Sequence, residues 1–191
     1  MELIFATHNQ HKLEEVKQML PQNIQFKSLT EINFHDDIEE TGSTFKENAS
    51  IKAQTIFQKT GVNVFADDSG LVIEALDGAP GVYSARYAGT GKSEDNIAKV
   101  LEELKGIENR KAYFIAVFCL ILDGKEYFFE GRVNGTIADV VLGADGFGYD
   151  PIFIPEGHSK SFAQMSAEEK NSMSHRGHAV EQLNEFLTKI I

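Results

Sequence analysis

The chain has 191 residues, which at roughly 150 residues per domain is about one domain, with room for two lobes. Apolar residues make up 42% and charged residues 25%, the balance of an ordinary folded protein, so a disordered or collagen-like chain is excluded. With 18 basic and 29 acidic residues the net charge is −11. That field repels polyanions and argues against broad binding to nucleic acid or an anionic membrane, while a local group of cations or a bound metal can still hold a small anion. The single cysteine, Cys119, cannot form an internal disulfide and reads as a small core residue within the apolar run 115–122. That run is far below the ~20 residues needed to span a membrane. The segment Met1–Ala6 has no basic stretch of the kind that opens a signal peptide, so a cytoplasmic protein is expected.

In chain order, Leu3–Thr7 reads as a buried strand and Lys12–Leu20 as an amphipathic helix stopped by Pro21. Ile24–Leu29 alternates like a strand. Ser43 is placed to cap a long helix that buries Phe45, Ala49, Ala53, Ile56 and Phe57 and stops at Gly61. Val62–Ala66 and Leu71–Ala75 read as two strands interrupted by the polar break Asp67-Asp68-Ser69-Gly70. A loop over 79–91 follows, then a helix capped by Ser93. Ala112–Leu122 and Lys125–Val133 flank Asp123-Gly124, a hairpin signal. Gly143–Asp150 reads as a second glycine-rich loop and Pro151–Ile154 as extended chain. Ser166–Lys170 reads as one helical turn, and the last helix carries Val180, Leu183, Phe186, Leu187 and Ile190 on one face. Interleaved helices and strands with an antiparallel hairpin predict an α/β fold with a mixed sheet and flanking helices.

Two phosphate-site look-alikes fail. Gly89-Thr90-Gly91-Lys92-Ser93 ends like a P-loop, but Arg86 stands where its first glycine belongs; Gly146-Phe147-Gly148 leads to Pro151, not to the glycine of a dinucleotide fingerprint. Four polar clusters remain. Thr7-His8-Asn9-Gln10-His11-Lys12 joins a strand to a helix N-terminus, a cradle for phosphate oxygens or a plain capped helix start. Glu39-Glu40 and Asp67-Asp68 offer hard oxygen ligands that suit Mg²⁺, or a solvated acidic surface. Asn48 and Lys52, four apart, share a helix face, and Lys52 would add a phosphate cation. Phe147-Gly148-Tyr149-Asp150, with Lys170, His175 and Arg176, provides an aromatic to stack on a base and donors for its carbonyls, or an ordinary turn with surface cations. Together they are the inventory for a Mg²⁺–nucleoside triphosphate.

At these residues the sequence resembles the inosine triphosphate pyrophosphatase family. The matching blocks are Thr7-x-Asn9-x-x-Lys12, Glu39-Glu40-Thr41-Gly42, Phe45-x-Glu47-Asn48-Ala49-x-x-Lys52-Ala53, Ala66-Asp67-Asp68-Ser69-Gly70-Leu71, the run 78–87, Gly146-Phe147-Gly148-Tyr149-Asp150-Pro151 and Ser174-His175-Arg176-Gly177. The resemblance covers almost the whole chain. It implies a single domain over 1–191 with two lobes around a central cleft, and a homodimer. It also implies Mg²⁺-dependent hydrolysis of deaminated purine nucleoside triphosphates (ITP, dITP, XTP) to monophosphate and pyrophosphate, which cleanses the nucleotide pool.

The resemblance assigns the 7–12 loop, notably Asn9 and Lys12, and Lys52 to the triphosphate, Glu40 and Asp68 to the metal, and Asp68 also to the attacking water. Ser69 would contact substrate, and Phe147, Gly148, Tyr149, Asp150, Lys170, His175 and Arg176 would form the base pocket. His8 departs from the glycine often found in that loop. Two rivals are a non-catalytic nucleotide sensor, which has no need of a water-activating carboxylate, and a pyrophosphatase of similar fold acting on modified pyrimidine triphosphates.

Overall fold

The computed structural model describes residues 2–190; Met1, in the segment read for a signal peptide, lies outside them. Six strands form one mixed sheet in the order β2-β1-β3-β4-β5-β6. They are β1 (Leu3–Phe5), β2 (Lys27–Ser28), β3 (Asn63–Ile73), β4 (Lys111–Leu122), β5 (Lys125–Ile137) and β6 (Phe153–Pro155). The helices are α1 (Gln10–Met19), α2 (Phe45–Thr60), α3 (Ser93–Glu103), α4 (Ala167–Met173) and α5 (His175–Thr188). β1 pairs in parallel with β2 and β3, while β5 and β6 are antiparallel. The mixed sheet with flanking helices predicted by the sequence is therefore present.

The chain divides into two compact units. One comprises the chain up to Asp68, residues 116–131 and the chain from Arg176; the other comprises residues 69–115 and 132–175. In the first unit, side-chain alternation along the strands sorts the core into two faces. Leu3, Phe5, Phe65, Phe118 and Leu120 pack with Leu13 and Val16 of α1 and Val180, Leu183 and Leu187 of α5. Phe5 stacks on Phe65 at 4.6 Å between ring centroids. Ile4, Ala6, Val64, Ala66, Cys119 and Ile121 form the other face with Ala49, Ala53 and Ile56 of α2. Burial, with the neighbouring Glu126 carboxylate, pushes the Cys119 thiol up to about 12, so it is an inert core residue. In the second unit Leu71, Ile73, Phe114, Ile137 and Phe153 pack with Ile97, Val100 and Leu104 of α3 and the α3–β4 end, together with Phe162 and Met165.

The largest departure from the sequence reading is at 67–70. No break exists there: β3 runs unbroken from Asn63 to Ile73. Polar side chains in the middle of a strand looked like a loop, but each of the two aspartates meets buried cations, which lets it remain in the sheet. Other shifts are local. Thr44, not Ser43, caps α2, in a capping box with Glu47. Asn9 caps α1, which begins at Gln10 rather than Lys12. Ser93 is the first residue of α3, and its Lys92 cap makes no side-chain bond. The expected strand 24–29 shrinks to Lys27–Ser28, the 79–91 loop contains a 3₁₀ turn over Gly81–Arg86, and β5 extends to Ile137. Asp123 and Gly124 both have positive φ, the type I′ turn expected of that pair. α5 ends at Thr188, leaving Ile190 beyond it and exposed. Among the described residues no helix is long and apolar enough to cross a membrane.

Candidate active site

In the first unit, five segments bring the acidic and basic groups together: α1, the loop that carries Glu40, α2, β3 and α5. β3 carries Asp67 and Asp68, both buried. Alternation sends Asp67 to the face of Phe65, toward α1 and α5, and Asp68 to the face of Ala66, toward α2. The Asp67 carboxylate lies 3.1 Å from Lys12 Nζ and 3.4 Å from both Nε and Nη2 of Arg176. Arg176 donates from Nη1 to Glu15 on α1. Burial alone would raise the Asp67 carboxyl, but Lys12 and Arg176 outweigh it and hold it at about 2. Lys12 is in turn drawn below the ordinary lysine range by its own burial, which Asp67 only partly offsets.

On the α2 face, Lys52 Nζ lies 3.2 Å from Glu40 Oε1 and 3.8 Å from Asp68 Oδ1. The Asp68 carboxyl is raised, first by burial and then by the like charge of Glu40, against the opposing pull of Lys52 and Lys12. Glu40 thus sits within electrostatic range of Asp68, with an ammonium near both. Asp67 and Asp68 thus face opposite ways: Asp67 pairs with Lys12 and Arg176, and Asp68 shares Lys52 with Glu40. The donor set of Glu40 and Asp68 fits a hard divalent cation, because two carboxylates converge where a positive charge is already favoured. Among the described residues no cluster of three or more His, Cys, Asp or Glu side chains could hold a metal. Such a cation would therefore take its remaining ligands from water and substrate.

The strand-to-helix loop of the same unit shows how the 7–12 segment is built. Asn9 Oδ1 accepts from the Lys12 N–H at 3.1 Å, and Thr7 Oγ1 accepts from the Asn9 N–H at 3.1 Å. The capping alternative is therefore present. His8 Nε2 donates to the Asp36 carbonyl at 3.0 Å and its ring lies over Phe34. Gln10 donates to Glu14 one turn on, and His11 is exposed.

The second unit carries Ser69 and the expected base-recognition residues up to His175. Lys170 and Asp150 form a buried pair at 2.6 Å. The Lys170 ammonium lies 4.8 Å from the centre of the half-buried Phe147 ring. Asp150 Oδ2 also accepts the Phe147 N–H at 3.0 Å. Gly146 has φ +74, and a Cβ there would stand 2.3 Å from Asp150 Oδ2, so only glycine permits this wrap. Tyr149 is buried and donates to the Ser84 carbonyl at 2.6 Å, which anchors the turn around Gly148. His175 is buried and stacked on Phe114 at 4.7 Å. Phe147, Gly148, Asp150 and Lys170 are thus one local cluster.

A family model described as the Ham1 family matches residues 3–186. The chain belongs to the Ham1 family. It is 50% identical over 190 residues to a dITP/XTP pyrophosphatase of Christiangramia forsetii, covering 99% of this chain and 100% of that protein. It is 51% identical over 187 residues to a dITP/XTP pyrophosphatase of Porphyromonas gingivalis, covering 97% and 96%. The fold matches the Staphylococcus aureus Ham1 protein with a TM-score of 0.91 at 41% identity over the full length of both chains. The family and enzyme class read from the motifs stand with this Ham1 chain.

Sequence reasoning left three residues of this site without a role. Glu15 gave no signal, since an acidic residue on an exposed helix is common. Asp67 was grouped with its neighbour. Asn48 was placed on the Lys52 face by its i, i+4 spacing, but nothing in the sequence said what it bonds.

Proposed function

We propose that this Ham1 protein is a Mg²⁺-dependent pyrophosphatase that hydrolyses ITP, dITP and XTP to the monophosphate and pyrophosphate, cleansing the nucleotide pool. The observation that carries the reading is the convergence of Glu40 and Asp68 on Lys52, whose ammonium lies 3.2 Å from one carboxylate and 3.8 Å from the other. The names of the curated relatives agree with it. Bound Mg²⁺ would be held by Glu40 and Asp68 and would supply charge neutralisation at the phosphates and orientation of a water.

The chain's own residues do the rest. Asp68 accepts the proton of the attacking water, which its raised carboxyl favours. Attack at the α-phosphorus expels pyrophosphate, whose charge is balanced by Lys12 and Lys52, with Asn9 and the amides of the 7–12 loop positioning the oxygens. Ser69 contacts substrate beside Asp68. Phe147 stacks on the base, and Gly148, Tyr149 and Asp150 shape the turn that presents it. Lys170, oriented by Asp150, and His175 donate toward the purine carbonyls, while Arg176, its guanidinium bound to Asp67 and Glu15, supports the site through Asp67. Against adenine, which offers an amino group at position 6, those donors lose their acceptor. An unpaired buried polar group costs about 1–3 kcal/mol, which is ten- to some hundred-fold in rate.

The protein is further proposed to act as one domain over 1–191, as a homodimer, in the cytoplasm. The strands β3, β4 and β5 each contribute residues to both units, so neither unit is a continuous piece of chain. The reading is tested by incubating the protein with ITP, dITP, XTP, GTP and ATP plus Mg²⁺ and separating pyrophosphate from orthophosphate. Pyrophosphate release, faster with ITP and XTP than with ATP, is expected. Orthophosphate alone, or equal rates on ATP and ITP, would overturn it.

A further inference from the structure

The loop that carries Glu40 has no secondary structure of its own, so something must fix Glu40 opposite Asp68. Asn48 is fully buried in the first turns of α2. Its Oδ1 accepts the Gly42 N–H at 2.8 Å, across six residues of chain. Glu47 fastens the same stretch by accepting the N–H groups of Ser43 and Thr44. Gly42 is held so closely that a Cβ there would stand 2.6 Å from Asn48 Oδ1 and 2.7 Å from Glu47 Cβ. The loop end is therefore clamped by side chain and backbone together, two residues beyond Glu40.

With Oδ1 bound to Gly42, the planar group directs Nδ2 the opposite way. Nδ2 is buried and has no hydrogen-bond partner among the described residues. One turn on along α2, Lys52 Nζ lies 3.2 Å from Glu40 Oε1 and 3.8 Å from Asp68 Oδ1. Asn48 thus fastens the loop to α2 at Gly42, and Lys52 of the same helix joins Glu40 to Asp68.

We propose that Asn48 is a positioning residue of the metal site: by accepting the Gly42 N–H it ties the loop that carries Glu40 to α2, whose Lys52 meets both Glu40 and Asp68, and so holds Glu40 opposite Asp68 for one cation. The inference rests on the assignment of Glu40 and Asp68 as metal ligands. Gly42 acts through the same contact, as the small residue that lets the loop approach.

The test uses the full-length protein and Mn²⁺ alone as a paramagnetic hard cation, with free Mn²⁺ followed by electron paramagnetic resonance. Asn48→Ala and Gly42→Ala each weaken Mn²⁺ binding about tenfold while keeping one cooperative thermal transition. Gly42→Ala lies in the half-buried loop and pushes it off Glu47 and Asn48 while leaving every side chain of α2 unchanged, so it remains informative should Asn48→Ala fold poorly. Ile56→Val, in the core of the same helix, lowers the melting temperature without altering Mn²⁺ affinity, which separates positioning from general loosening. Glu40→Gln weakens Mn²⁺ binding as a control on the ligand assignment. Wild-type affinity in both Asn48→Ala and Gly42→Ala, with Glu40→Gln weakened, overturns the role of Asn48 alone. Wild-type affinity in Glu40→Gln overturns the ligand assignment and the proposal with it.

Discussion

Asp67 and Asp68 are consecutive residues on β3, yet they lie on opposite faces of the strand and in opposite electrostatic environments. Asp67 is held by Lys12 and Arg176 at about 2, whereas Asp68 is raised by burial and by Glu40. Strand alternation alone places the two neighbours in these different surroundings.

The two therefore have opposite effects on stability. Asp67 ionises at about 2 in the fold against an ordinary 3.8. A carboxyl depressed in that way stabilises fully above its unfolded value, and the contribution is lost as pH falls from near 4 toward 2. At ~1.36 kcal/mol per unit this is about 2 kcal/mol. Asp68, raised in the fold, is destabilising when ionised at neutral pH. Metal-free thermal melts at pH 7 should show Asp67→Asn lowered by roughly 4–8 °C, from ~2–4 °C per kcal/mol, and Asp68→Asn raised. Asp68→Asn should at the same time lose turnover.

Arg176 is 1% exposed and bridges Asp67 on β3 to Glu15 on α1. Removing one partner of a buried pair leaves uncompensated charge and costs about 3–5 kcal/mol. Arg176→Ala should shift the urea midpoint accordingly. Arg176→Lys, which lacks the fork, should recover only part of the loss. An unfolding free energy within about 0.5 kcal/mol of wild type, the scale of ordinary surface changes, would contradict the buried network.

Phe147 is half-buried and held in place by Asp150. Stacking on a base is worth about 1–3 kcal/mol, so Phe147→Ala should raise KM for ITP roughly tenfold. If the ring binds ground and transition states alike, kcat stays near wild type. Gly146→Ala should reproduce the effect and also destabilise the protein, because its Cβ would collide with Asp150 at a positive φ. Steady-state kinetics alongside a thermal melt check both.

Much of this was legible in the sequence because it rests on local rules. The Asp123-Gly124 turn, the apolar face of α2 and the Gly61 stop follow from the periodicity of 3.6, the positive φ of a two-residue turn and the left-handed cap. The unbroken course of β3 was not legible, because a polarity pattern cannot show that Lys12, Lys52 and Arg176 arrive from distant segments to balance Asp67 and Asp68. The same limit hid Glu15 and the span from Asn48 to Gly42. Both depend on which side chains the fold brings together, not on spacing along one element.

The central claim is attack of water on the α-phosphorus. It is tested most directly by hydrolysing ITP with the wild-type protein and Mg²⁺ in ¹⁸O-labelled water and locating the label by mass spectrometry. The account predicts one ¹⁸O in the inosine monophosphate and none in the pyrophosphate. Label in the pyrophosphate, with unlabelled monophosphate, would contradict it.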